Sequence, residues 1–130
     1  MKVGLVVGDR IRMRGAITIE PPLGHQEIDP QWSDSDFCGM VPVVPRVEEQ
    51  VTDSPEGTLI VRSCSAIVPT PWNHSVDSIL DNIEGFIEKI TGHEFGGYLE
   101  CQGEEIGDLF RIVVQDRTAR IVYPDISWKT

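Results

Sequence analysis

Between residues 10 and 20 the chain reads RIRMRGAITIE, in which Ile11, Met13, Gly15, Ile17 and Ile19 point one way and Arg10, Arg12, Arg14, Thr18 and Glu20 the other. Sustained period two predicts an antiparallel strand with one face buried and one in water. Pro21 and Pro22 end it on this reading, because proline cannot donate to a ladder. From residue 24 to 46 no period survives, and the mixture of prolines, acids and isolated aromatics predicts a long irregular loop. A short strand over 47–52, the turn residues Ser54, Pro55, Glu56 and Gly57, and the β-branched run TLIVRSCSAIV at 58–68 read as a hairpin. Apolar residues on both faces of that run predict a central strand buried on both sides.

After Pro69 and Pro71 the period changes to three and four. Val76, Ile79, Leu80, Ile83, Phe86, Ile87 and Ile90 make one apolar stripe, Ser75 is placed to cap its start and Gly92 to follow its end, which predicts a helix over 76–91. Its wet side is a ridge of carboxylates, Asp77, Asp81, Glu84 and Glu88, with Lys89 the nearby cation. Like charges one turn apart each cost a helix roughly 0.2–0.5 kcal/mol, a cost this sequence tolerates. The last block, 97–123, alternates again as GYLECQ, LFRIVVQ and ARIVY, joined by the turn GEEIGD at 103–108 and by Asp116 and Arg117. Short turns between such runs predict an antiparallel meander. The expected architecture is α+β: a single domain over 1–130, mainly an antiparallel sheet of about five strands, with one amphipathic helix packed on one face.

Composition adds polarity to this frame. The 21 acids outnumber the 11 bases and give a formal net charge of −10. Such a field repels phosphate backbones, disfavouring direct nucleic-acid binding, and attracts basic protein surfaces. Its distribution is uneven: residues 20–60 carry nine acids against Arg46, and 77–108 carry nine against Lys89, whereas Arg10, Arg12 and Arg14 stand together, as do Arg111, Arg117, Arg120 and Lys129. No window is apolar enough to span a membrane and no signal-peptide core is present, so a cytoplasmic protein is expected. Cys38, Cys64 and Cys101 lack CxxC spacing and read as reduced structural thiols.

No specific catalytic or cofactor motif occurs. The acids of the GEEIGD turn, Glu104, Glu105 and Asp108, with Glu100 nearby, could hold a hard cation, but their spacing matches no EF-hand loop. Ser63, Cys64 or Ser65 would need His74 or His93 as a base, without any elbow motif to present the nucleophile. Cys64, Cys101, His74 and His93 lack zinc-site spacing. Trp72, Asn73, His74 and Ser75 at the helix start could cradle an anion, although Asp77 already complements the dipole there.

Three stretches, ITIEPPL at 17–23, EGTLIVRSCSAIVP at 56–69 and FGGYLECQGEEIGDLFRIVVQDRTARIV at 95–122, resemble an uncharacterised family of small acidic proteins from actinobacteria and their bacteriophages. The resemblance implies an accessory protein of a phage or of an actinobacterial cell, in the host cytoplasm if phage-encoded, and it brings no catalytic residues with it. The sequence therefore points to a non-enzymatic interaction protein without cofactor, meeting a basic partner, or imitating nucleic-acid charge, through Asp77, Asp81, Glu84, Glu88, Glu104, Glu105 and Asp108. Two alternatives remain open at this stage: a small-ligand or divalent-metal module built on the turn carboxylates with Arg111 or His93, and a homo-oligomeric structural protein.

Overall fold

The computed structural model describes residues 11–70, 75–103 and 109–124. Six strands, β1 (Arg12–Leu23), β2 (Val43–Ser54), β3 (Gly57–Pro69), β4 (Glu94–Gln102), β5 (Leu109–Gln115) and β6 (Thr118–Val122), form one antiparallel sheet in the order β2-β3-β1-β4-β5-β6. A helical turn, α1 (Ser35–Cys38), and the main helix, α2 (Val76–Lys89), complete an α+β fold with one strand more than expected.

The alternation read along residues 11–20 is the alternation seen. Ile11, Ile17 and Ile19 are buried, and their neighbours across β4, Phe95, Leu99 and Cys101, are buried on the same side. Val114, Ile112, Phe110 and Ala119 continue this face to β6. Gly15 and Gly97 sit within it at φ +108° and +92°; a Cβ on either would stand 2.9 or 3.0 Å from a carbonyl oxygen of the opposing strand, so both must lack a side chain.

On this face lies α2, with Ile79, Ile83, Phe86 and Ile87 buried. Removing each of these from water is worth roughly 1.5–3 kcal/mol, far more than the repulsion along the carboxylate ridge. Ser75 caps the start by accepting a hydrogen bond from the Ser78 amide, and Asp77 and Lys89 complement the dipole at the two ends.

Three expectations are corrected. β1 does not stop at the prolines: its ladder with β4 ends at Glu20 opposite Glu94, so Pro21 and Pro22 deprive no neighbour of a donor, and the strand meets β3 again where Leu23 faces Cys64. The segment 24–46 is not one irregular loop: residues 43–46 already belong to β2, and 24–42 is ordered. It folds into tight turns at His25–Glu27 and Pro30–Ser33 and then α1, and it seats Trp32, 6% exposed, edge-on against Phe86 with ring centroids 6.0 Å apart. It thereby covers core that α2 leaves open. β3 is doubly flanked only in its second half: from Glu48 through Val61 every residue of the β2–β3 ribbon is exposed. β-branched residues here serve an arm that projects from the sheet.

At the β5–β6 hairpin Asp116 and Arg117 both take positive φ, 53° and 61°, as a two-residue turn matching the twist of its strands requires. The Arg117 guanidinium closes the far end of α2. It donates to the carbonyl oxygens of Ile87, of Ile90 at 3.1 Å and of His93 at 2.8 Å, and lies 5.5 Å over the Phe95 ring. Arg117→Ala should lower stability by about 2 kcal/mol in urea unfolding, since hydrogen bonds to a charged donor are worth about 1.5–3 kcal/mol and helix carbonyls are left without a partner. Arg117→Lys should recover less than half, because an ammonium lacks the planar fork.

Candidate interaction surfaces

The acids of α2 take their positions from the helix period. With the apolar stripe locked inward, Asp77, Asp81, Glu84 and Glu88 all come out exposed, and no described cation pairs with them. Glu104, Glu105 and Asp108 lie outside the described residues, as do Arg10, Trp72, Asn73, His74 and Lys129.

Opposite α2 the sheet presents a different surface, assembled from arginines far apart in sequence. Register places Arg14 beside Glu100 and Glu100 beside Arg111, while Arg120 faces Val113, itself next to Tyr98. Glu100 Oε1 accepts from Arg14 at 2.7 and 2.9 Å, and Oε2 accepts from Arg111 at 3.3 Å. Arg14 first, then Arg111, hold the Glu100 carboxyl below its ordinary range. Arg111 also stacks 4.3 Å over the Tyr98 ring. The Arg14 side chain stays 83% exposed and that of Arg111 49% exposed, so both guanidinium groups remain reachable from solvent. Hollows of about 220 and 400 Å³ flank Glu100, one walled by Arg12, Arg14 and Leu109, the other by Arg111, Val122 and Tyr123. A carboxylate with both oxygens engaged by arginine is poorly placed to ligate a cation, which removes Glu100 from the metal-binding alternative.

Of the residues considered for nucleophile or zinc chemistry, the two buried cysteines are held apart. Cys64 lies beside Leu23 and Cys101 beside Met13, at opposite ends of β1. Burial raises both thiols, Cys101 to about 12, as expected of inert packing groups. Among the described residues no three His, Cys, Asp or Glu side chains converge as a metal would require. His93 is a structural pin: its Nδ1 donates to the Pro21 carbonyl and its Nε2 to the Glu27 carboxylate, both at 2.6 Å, while Glu27 also accepts from the Gly24 amide at 2.9 Å. Two acceptors facing two ring nitrogens favour the protonated ring.

Residues 7–130 match the Family of unknown function (DUF6205). The chain belongs to this family. No curated protein and no solved structure matches it. No described helix is long and apolar enough to cross a membrane.

The sequence disclosed the acidic ridge and the shared face of Arg12 and Arg14, but not that β4 would bring Arg14 and Arg111 onto one carboxylate, nor that Arg117 would part from Arg111 and Arg120 to bond the end of α2. Arg12 and Arg14 at a two-residue step, and Glu100 in its own alternating run, were the available signal; the register between strands was not.

The His93 pin sets a pH window. The hydrogen bond to Glu27 raises the His93 pKa above its ordinary 6.5, and the Gly24 amide, then His93, lower that of Glu27 from 4.5. A raised folded value means that the His93 contribution is complete below pH 6.5 and fades as pH rises through the folded value; the lowered carboxyl contributes above pH 4.5 and fails in stronger acid. Wild type should therefore lose stability as pH rises above 6.5 in denaturant titrations, and His93→Gln should flatten that slope.

Proposed function

We propose that this protein is a non-enzymatic, acidic interaction module that binds a basic protein surface through the carboxylate ridge of α2. One observation carries the reading: Asp77, Asp81, Glu84 and Glu88 all face solvent from a helix whose opposite side is locked into the core. Carboxylates one helical turn apart stand about 5–6 Å from one another. An array of this kind speeds encounter with a cationic partner and fixes its register. A net charge of −10 favours a basic protein over a nucleic acid as that partner. Resemblance to small acidic proteins of actinobacteria and their phages supports an accessory role in a host cytoplasm.

The Asp81→Lys, Glu84→Lys, Glu88→Lys variant keeps the buried stripe intact and should fold. Wild type immobilised in host lysate should retain basic proteins at 50 mM salt and release them at 500 mM, as exposed charge pairs are screened. The variant should retain few of them. Equal capture by both proteins, or capture indifferent to salt, would overturn the reading.

A further inference from the structure

The β2–β3 arm and the arginine face lie on one molecule with complementary properties. Beyond Val47 and Cys64 no third strand joins the arm among the described residues, where the Arg62 amide donates to His25 Nδ1 instead, and Val51, Leu59, Ile60 and Val61 are between 43% and 60% exposed. Two-stranded ribbons are marginal alone in water, and grouped exposed apolar side chains mark contact surfaces. Its charges are mainly negative: Glu48, Glu49, Asp53 and Glu56, with Arg62 paired to Glu49 at 2.8 Å.

Register assigns the two sides of the arm. Val51 pairs with Ile60 on the side that continues Val47 and Cys64, the side of α2. Thr52 pairs with Leu59, Gln50 with Val61 and Glu48 with Ser63 on the other side, which continues the sheet face opposite α2. That same face, at its far corner, carries Arg12, Arg14, Arg111 and Arg120 around exposed Tyr98 and Leu109, 43% and 44% accessible. The arm side bearing Leu59, Val61 and Glu48 and the basic corner thus share one face at diagonally opposite ends, while Glu49 and Asp53 lie on the other side of the arm. A two-fold axis lying between two such faces, along the other diagonal, exchanges them.

We propose that two copies of this chain pair face to face, each laying the Leu59–Val61 side of its β2–β3 arm across the arginine-bearing corner of the other. The arrangement buries apolar arm residues against Tyr98 and Leu109 and sets Glu48 near guanidinium groups, with Glu56 at the tip of the arm. It forms the same contact twice, closing the assembly at two copies. Crossed sheets are an ordinary mode of sheet packing. The ridge of α2 faces away and stays available for another partner.

Sedimentation equilibrium of the full chain tests this. Wild type at 100 mM salt should show the mass of two chains, moving toward one at 1 M salt. Leu59→Asp with Val61→Asp should give one chain with unchanged far-ultraviolet circular dichroism, since both residues are exposed in the single copy. Glu48→Lys with Glu56→Lys in the arm, or Arg12→Glu with Arg120→Glu on the face, should each give one chain, and the four substitutions together should restore two. The Asp81→Lys, Glu84→Lys, Glu88→Lys variant should remain a pair, which separates this proposal from the ridge reading. Wild type at the mass of one chain, or a pair that survives Leu59→Asp with Val61→Asp, would overturn it.

Discussion

The arrangement of helix on sheet depends on how the C-terminal end of α2 is closed. A helix leaves its last carbonyls without intrahelical partners, and at a packed end those oxygens need a donor. Arg117 supplies it from the β5–β6 turn, bonding Ile87, Ile90 and His93 with one planar group. The turn takes two residues in the left-handed region, as a two-residue hairpin requires, and so places the Arg117 side chain at the end of α2. Since His93 is in turn bonded to Pro21 and Glu27, the same connected set ties α2 to β1 and to the segment that carries Trp32.

Once α2 is held there, the surface of the molecule follows. The stripe of Ile79, Ile83, Phe86 and Ile87 has a single way to be buried, so the carboxylates on the opposite side of the helix must face water. The sheet has one face against that stripe, so Arg12, Arg14, Arg111 and Arg120 emerge on the other. An acidic molecule thus acquires a basic corner. Glu100 tempers it by occupying two of the arginines, and the remaining charge stays exposed.

Local pattern announced much of this fold because period and burial coincide where one face is dry and the other wet. Residues 11–20 and the stripe from Val76 to Ile90 are such cases, and both were legible. The run at 58–68 was not, because apolar residues on both faces are expected of a doubly buried strand and equally of an arm awaiting a neighbour. Trp32 was likewise unreadable: a lone aromatic among prolines and acids has no period, and its contact, Phe86, lies in another element.

By itself the sequence determined the elements, the inward stripe of α2, the outward row of Asp77, Asp81, Glu84 and Glu88, and the excess of negative charge, since each depends on spacing within one segment. Only the tertiary structure decided which strands are neighbours, that Arg14 and Arg111 share Glu100, that Arg117 closes the helix and His93 pins the turn beside it, and that the first half of β3 has β2 as its one neighbour among the described strands. Each of these is a contact between residues distant along the chain, and no local period records which distant residue will arrive.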